Sequence, residues 1–96
     1  VLGDEVYSKF PFVKGMQPAL DDLAELVLNR TWRPALSVTG QEGWPSLSNA
    51  GNVLRPFTAV KLSMRLPPTA DGKAAGHALR DALIKSPPYG AKVSFE

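Results

Sequence analysis

Strict alternation of apolar and polar side chains over residues 60–66 constrains the fold more than any other feature of the chain. One face of this segment would carry Val60, Leu62, Met64 and Leu66, and the other Lys61, Ser63 and Arg65. Pro67 and Pro68 end the pattern, because proline has no N–H to donate to a strand ladder. We therefore predict a strand with an apolar core face and a polar face that meets water or a ligand.

Two other segments, 17–29 and 72–85, repeat their apolar residues at helical spacing. Pro18 suits the first turn of the first helix. Thr69 or Asp71 is expected to cap the second, because both side chains can accept hydrogen bonds from a helix N-terminus. The pattern therefore predicts one helix before the alternating strand and one after it.

Two shorter segments, 34–39 and 91–95, also alternate and are predicted to be strands, the first ended by Gly40. Between the first of them and the central strand lies a loop over 41–52, which is long for a plain connection. The loop contains Trp44, and we expect this indole to plug the open side of a small core.

These elements predict an α+β fold with an antiparallel sheet of three to four strands and two helices on one face. The arrangement would be ferredoxin-like and incomplete. A chain of 96 residues makes one domain at most. We assign residues 1–15 to an extended arm, with a short edge strand at 5–9 as an alternative, and residues 16–96 to the domain.

The composition excludes several kinds of chemistry. The chain has no cysteine and a single histidine, His77, which we interpret as a surface residue of the second helix. We therefore expect no catalytic and no metal-ligating residue in this chain. The net charge of +2 is mixed along the sequence, which does not favour a nucleic-acid partner, and no apolar run is long enough to span a membrane. The absence of cysteine favours the cytoplasm, with the periplasm as the alternative.

Two polar residues remain as candidate ligand contacts. Arg65, near the end of the central strand, offers a planar charged fork that suits a carboxylate. Its alternative is a surface ion pair with Glu96 or an aspartate. Asn52, at the exit of the long loop, carries both a donor and an acceptor. Its alternative is the role of a turn residue.

Several segments together resemble a known family: Trp32–Pro34, Asn52–Pro56, Arg65–Pro68, the helix led by an aspartate, and Pro87–Val93. They are similar to the lid or dimerisation domain of the zinc metallopeptidases related to aminoacylase, carnosinase and carboxypeptidase G. In that family an asparagine or threonine precedes an arginine by thirteen residues, as Asn52 precedes Arg65 here. The similarity covers about residues 29–96. Arg55 departs from it, since it stands where the family usually has proline.

The resemblance implies a two-domain parent enzyme whose catalytic domain holds two zinc ions and a glutamate base. This chain would be its lid, inactive alone, and would pair with a second subunit. Arg65 would grip the terminal carboxylate of a peptide or N-acyl amino acid, and Asn52 would contact the substrate near the scissile bond. The family's lid histidine lies upstream in relatives, so His77 is not given that role.

A different class of function is left open by the residues. The chain could be a stand-alone ferredoxin-like module that binds a small anionic ligand. An RNA ligand is disfavoured, because RNA-binding sheets of this kind display aromatic side chains on their open face. The predicted open face instead carries Lys61, Ser63, Arg65, Lys92 and Ser94.

Overall fold

A computed structural model describes residues 8–96 and confirms the α+β class. In chain order the elements are helix α1 (Leu23–Thr31), strand β1 (Ala35–Glu42), a 3₁₀ turn (Leu47–Asn49), strand β2 (Ala59–Arg65), helix α2 (Gly72–Ile84) and a second 3₁₀ turn (Pro88–Gly90). Strands β1 and β2 form a two-stranded antiparallel sheet. The strand predicted over 91–95 is not formed in this structure. Alternation alone does not make a strand, since the backbone also needs a neighbouring chain to complete its hydrogen bonds.

The chain divides into two compact units, Val1–Leu66 and Pro67–Glu96. The first contains α1 and both strands, and the second contains α2 and the second 3₁₀ turn. Residues 1–7 of the predicted arm lie outside the described part of the chain. Of the alternative edge strand at 5–9, Ser8 and Lys9 are described, and both are helical.

Helix α1 begins at Leu23, later than the predicted start at residue 17. The carboxylate of Asp22 accepts hydrogen bonds from the backbone N–H groups of Ala24 (2.9 Å) and Glu25 (3.2 Å). These bonds satisfy donors that have no partner inside a helix, so Asp22 defines the N-terminus. Pro18 therefore precedes the helix instead of opening its first turn.

Helix α2 matches its prediction closely and begins at Gly72. Its cap is Asp71, which was one of the two predicted caps. The Asp71 carboxylate accepts hydrogen bonds from the backbone N–H groups of Lys73 (2.9 Å) and Ala74 (3.3 Å). The helix ends at Ile84, shortly before Pro87 and Pro88, which cannot continue a helix.

The two strands pair in a register that places their apolar residues on one face. Leu36 lies opposite Met64, and Val38 lies opposite Leu62. Strand β1 continues beyond Gly40, where it was expected to end. A β-bulge at Thr39 absorbs one residue of β1, and the Thr39 hydroxyl donates a hydrogen bond to the Lys61 carbonyl (3.3 Å).

The apolar face of the hairpin consists of Leu36, Val38, Val60, Leu62 and Met64. Leu62 and Met64 are half-buried, whereas Val38 stays 65% exposed. None of residues 8–96 is fully buried. Among the described helices and strands of the first unit, extensive contact is found between β1 and β2. The predicted apolar face of β2 exists, but its described residues remain exposed or only half-buried.

Candidate functional site

Arg65 is the last residue of β2 and stands opposite Ala35. Strand alternation puts it on the polar face of the hairpin, together with Lys61 and Ser63. The residue is exposed, and its guanidinium makes no ion pair or side-chain hydrogen bond within residues 8–66. The aspartates and glutamates of that range therefore do not supply the surface partner considered as its alternative.

An open cleft of about 690 Å³ lies beside Arg65 within the first unit. We call it the arginine cleft. Its principal described lining residues are the apolar Phe10, Phe12, Met16, Leu26 and Leu66 and the charged Arg30, Arg33 and Arg65. These side chains come from the segment before α1, from α1 itself, from the connection between α1 and β1, and from the end of the hairpin. The cleft therefore combines an apolar lining with three cations.

Arg33 is the compensated cation of the cleft. Its guanidinium forms a two-point ion pair with Glu25, from Nη1 to Oε2 and from Nη2 to Oε1 (3.2 Å), and lies 3.4 Å from the amide oxygen of Asn29. The hydrogen bond and the charge of Glu25 raise the pKa of Arg33 above its usual value. Because a raised pKa favours the charged form, Arg33 carries its charge at neutral pH and loses it in strong alkali. The Glu25 carboxylate largely neutralises the charge of Arg33.

Arg30 and Arg65 remain without a carboxylate within residues 8–66. The Arg30 guanidinium carbon lies 5.6 Å from the centre of the Phe10 ring, which is a cation–π distance. The Phe10 and Phe12 ring centres are 6.4 Å apart. Arg30 thus contacts one ring of this aromatic pair, and an aromatic ring does not neutralise a guanidinium charge. Two uncompensated guanidinium groups therefore line an apolar cleft.

The chemistry available in the cleft is that of binding. Among its described lining residues, none carries a carboxylate, an imidazole or a thiol. The hydroxyl of Thr31 also lines the cleft, and it donates to the Val27 carbonyl at 2.7 Å. The arrangement offers charged donors and apolar surface for a ligand, and offers no general base.

Asn52 lies elsewhere, in the connection between the two strands. It is exposed and sits at the centre of a three-residue turn, closed by a 3.0 Å hydrogen bond from the Val53 N–H to the Gly51 carbonyl. The connection enters β2 at Ala59, roughly 20 Å along the strand from Arg65. Asn52 is not among the lining residues of the arginine cleft. The structure therefore does not bring the two predicted substrate contacts together there.

Trp44 does not plug a core, contrary to the prediction. Its side chain is 56% exposed, and the Arg55 guanidinium carbon lies 3.7 Å from the centre of its ring. Arg55 is the residue that departs from the family pattern. The stack links two positions of the long loop, and an arginine with a tryptophan in one loop was the sequence signal that could have indicated it.

Sequence reasoning also missed the cleft itself. Arg30 lies in the last turn of α1, and Arg33 follows the end of the helix by two residues, so helical spacing does not relate the two side chains. The apolar segment around Phe12 was interpreted as part of an arm. Nothing in the sequence pattern shows that this segment, α1 and the end of the hairpin meet.

The described part of the chain holds no group of three or more His, Asp or Glu side chains arranged to bind a metal ion. His77 is exposed on α2. None of the helices over residues 8–96 has the length and apolar content needed to cross a membrane.

Comparison with known proteins does not identify the chain. No family model matches it, and none of the curated proteins compared with it matches significantly.

Proposed function

We propose that this chain is the substrate-gripping and dimerising lid of a zinc-dependent exopeptidase or amide hydrolase, and that it is not catalytic alone. The family motifs in the sequence support this reading. The structural observation that supports it best is Arg65, which ends β2 exposed and has no carboxylate partner within residues 8–66. An arginine left unpaired beside a cleft is available to a ligand.

The role of Arg65 is to hold the terminal carboxylate of a peptide or an N-acyl amino acid. A guanidinium can donate two parallel hydrogen bonds to a carboxylate, and such charge-assisted pairs are stronger than neutral ones. Asn52 is proposed as a second contact, nearer the scissile bond. The mechanism is positional, because holding the reacting groups in place removes part of the entropic barrier.

The uncovered apolar face of the hairpin supports the proposal that more protein completes this domain. A two-stranded sheet is marginal by itself, and Leu36 and Val38 remain largely exposed. We propose that the complete lid has a ferredoxin-like sheet of three to four strands with two helices on one face. Its partners would be the catalytic domain of the same parent chain and a second copy of the lid.

The two zinc ions of the proposal belong to the parent's catalytic domain. Residues 8–96 do not fit a zinc site, since they hold no suitable group of ligands. We therefore assign no step of bond cleavage to this chain. We place the parent in the cytoplasm, with the periplasm as the alternative, because the chain lacks cysteine.

The proposal is tested by replacing Arg65 in the full-length parent. Arg65→Ala is expected to lower kcat/KM by about 10- to 100-fold on substrates with a free carboxylate, since one charge-assisted contact contributes about 1.5–3 kcal/mol. Substrates with a C-terminal amide should be affected little. Lys61→Ala is the matched control, since Lys61 is a cation on the same face of the same strand. An unchanged kcat/KM for Arg65→Ala would remove this residue from the site.

The absence of catalysis in the lid is tested with the 96-residue chain. Incubated with zinc and a set of dipeptides and N-acyl amino acids, it should release no product. The assay is release of free amino groups, with a zinc dipeptidase as the positive control. Metal-dependent turnover by the chain alone would contradict the lid assignment.

A second candidate function is a stand-alone module that binds a small anionic ligand. The arginine cleft favours it, because the described cleft residues all lie in one unit and include two uncompensated cations. RNA remains the weaker ligand class, since Lys61, Ser63 and Arg65 give the polar face of β2 no aromatic side chain. Lys92 and Ser94, once expected on that face, lie outside the two-stranded sheet. This second candidate would be favoured if Arg65→Ala left catalysis by the full-length parent unchanged while the 96-residue chain bound small anions.

A further inference from the structure

We propose that the arginine cleft selects the class of anion that Arg65 holds: a small carboxylate with a large apolar or aromatic group next to it. This inference rests on the proposed function for the role of Arg65. It adds that the apolar group enters the cleft between Phe12, Met16 and Leu26. Neither the family resemblance nor the predicted grip specifies such a preference.

The size and lining of the cleft support an apolar group. Its volume of about 690 Å³ lies within the range of roughly 300–1,000 Å³ that holds small ligands. Phe12 and Met16 expose apolar surface at its wall, and Met16 is 58% exposed. Covering this surface with an apolar side chain removes it from water and favours binding.

The charges support an anion in the same place. Arg33 is neutralised by Glu25, whereas Arg30 and Arg65 have no carboxylate within residues 8–66. No carboxylate lines the described cleft. A neutral apolar ligand would leave both free cations uncompensated, and a small anion without an apolar group would leave Phe12 and Met16 in water. A ligand with both an anionic and an apolar group would pair with the cations and also cover the apolar surface of the cleft.

The first experiment measures binding to the 96-residue chain by calorimetry, with three ligands. N-acetylphenylalanine carries both features, N-acetylglycine carries the anion alone, and N-acetylphenylalaninamide carries the ring alone. We expect the first to bind at least about 10-fold more tightly than either of the others. Equal affinities would overturn the inference.

The second experiment separates the wall of the cleft from its charge. Met16→Ser and Ala19→Trp should each weaken N-acetylphenylalanine several-fold and leave N-acetylglycine unchanged, the first by removing apolar surface and the second by filling the cleft. Both positions lie outside the helices and strands, and far-UV circular dichroism checks that the fold is kept. Val13→Ser is the control, because Val13 is exposed in the same segment and does not line the cleft. If both cleft variants bind N-acetylphenylalanine normally, the inference is wrong.

The cleft variants Met16→Ser and Ala19→Trp, together with Arg65→Gln, are then made in the full-length parent. Their effects on catalysis distinguish the lid assignment from the inferred preference for an apolar group. If Arg65→Gln lowers kcat/KM for glycine and phenylalanine substrates alike, while Met16→Ser and Ala19→Trp change neither, the lid assignment stands and the inference fails. If Arg65→Gln changes neither substrate, the proposed grip itself fails. The inference is supported when the cleft variants reduce the preference for phenylalanine over glycine and Arg65→Gln lowers both.

Discussion

The β1–β2 hairpin carries Arg55 in its loop and Arg65 at its opposite end, and the two arginines differ in what they contact. At the loop end, the Arg55 guanidinium carbon lies 3.7 Å from the centre of the Trp44 ring. At the other end, Arg65 has neither an aromatic ring nor a carboxylate against it within residues 8–66. The two side chains are chemically identical, so the difference lies in their neighbours.

At the loop end of the hairpin, the backbone of Gly43 packs directly against that of Phe57. Gly43 has φ +91, and a Cβ placed there would lie 2.2 Å from the Phe57 carbonyl oxygen. The two ends of the loop therefore approach each other more closely than any side chain would allow. Arg55 stacks on Trp44 within the loop, whereas the donors of Arg65 have no partner within residues 8–66. Arg65 is therefore the one of the two that we propose for ligand binding.

The largest expected effect comes from adding a side chain at the loop end. Gly43→Ala should lower the free energy of unfolding by about 2–4 kcal/mol, through positive-φ strain and the contact with the Phe57 carbonyl. Urea unfolding followed by circular dichroism measures the change. Gly51→Ala is the control in the same loop, since its Cβ would meet nothing within 4 Å. Equal stability of both variants would mean that the loop end is not packed in this way.

The next effect concerns α1, the helix that carries Arg30 at the arginine cleft. Asp22→Ala removes the cap of α1 and should lower the free energy of unfolding by about 1 kcal/mol. Hydrogen exchange of the first-turn amides of α1 should increase. Asp21→Ala is the matched control, because the neighbouring Asp21 does not cap the helix. Loss of stability in both variants to the same extent would point to charge rather than capping.

A smaller effect is expected from breaking the stack at the loop end. Arg55→Ala should lower the free energy of unfolding by about 0.5–1 kcal/mol, the magnitude of an exposed cation–π contact. The variant is made in a Trp32→Phe background, so that Trp44 is the one fluorescent tryptophan. Its emission should change with Arg55→Ala and not with Arg80→Ala. An unchanged spectrum would contradict the stack.

The smallest effect on stability is expected at the opposite end of the hairpin. Arg65→Ala should change the free energy of unfolding by no more than about 0.5 kcal/mol, because its side chain has no partner to lose among residues 8–66. Ligand binding should nevertheless weaken. If Arg65→Ala destabilised the chain as much as Arg55→Ala, the proposed contrast between the two arginines would be broken.

Much of the local structure followed from the sequence. The alternation over 60–66 predicted β2, and the helical spacing with Asp71 predicted α2. The start of α1 was wrong because the capping carboxylate of Asp22 outweighed an apolar pattern that began earlier. Strand β1 passed Gly40 because a bulge accommodated the extra residue. These errors arise where backbone hydrogen bonds, rather than side-chain pattern, decide the outcome.

The candidate site was only partly predictable. Arg65 was identified from its place on the polar face of a strand, and its role in substrate binding stays a prediction. The cleft beside it was not foreseen, since Phe12, Arg30 and Leu66 are distant in sequence. The interpretation of Trp44 as a core plug failed because periodicity describes an element's faces, and a loop has none.

The sequence by itself determined which residues alternate, that a helix begins close to Asp71 and which arginine stands on a polar strand face, because these depend on neighbours within a few positions. Only the tertiary structure decided which arginine is stacked, which is paired with Glu25 and which has no partner within the described residues of the first unit. The reason is physical: the state of a charged side chain depends on the groups within a few ångströms of it, and those groups are brought there by the fold.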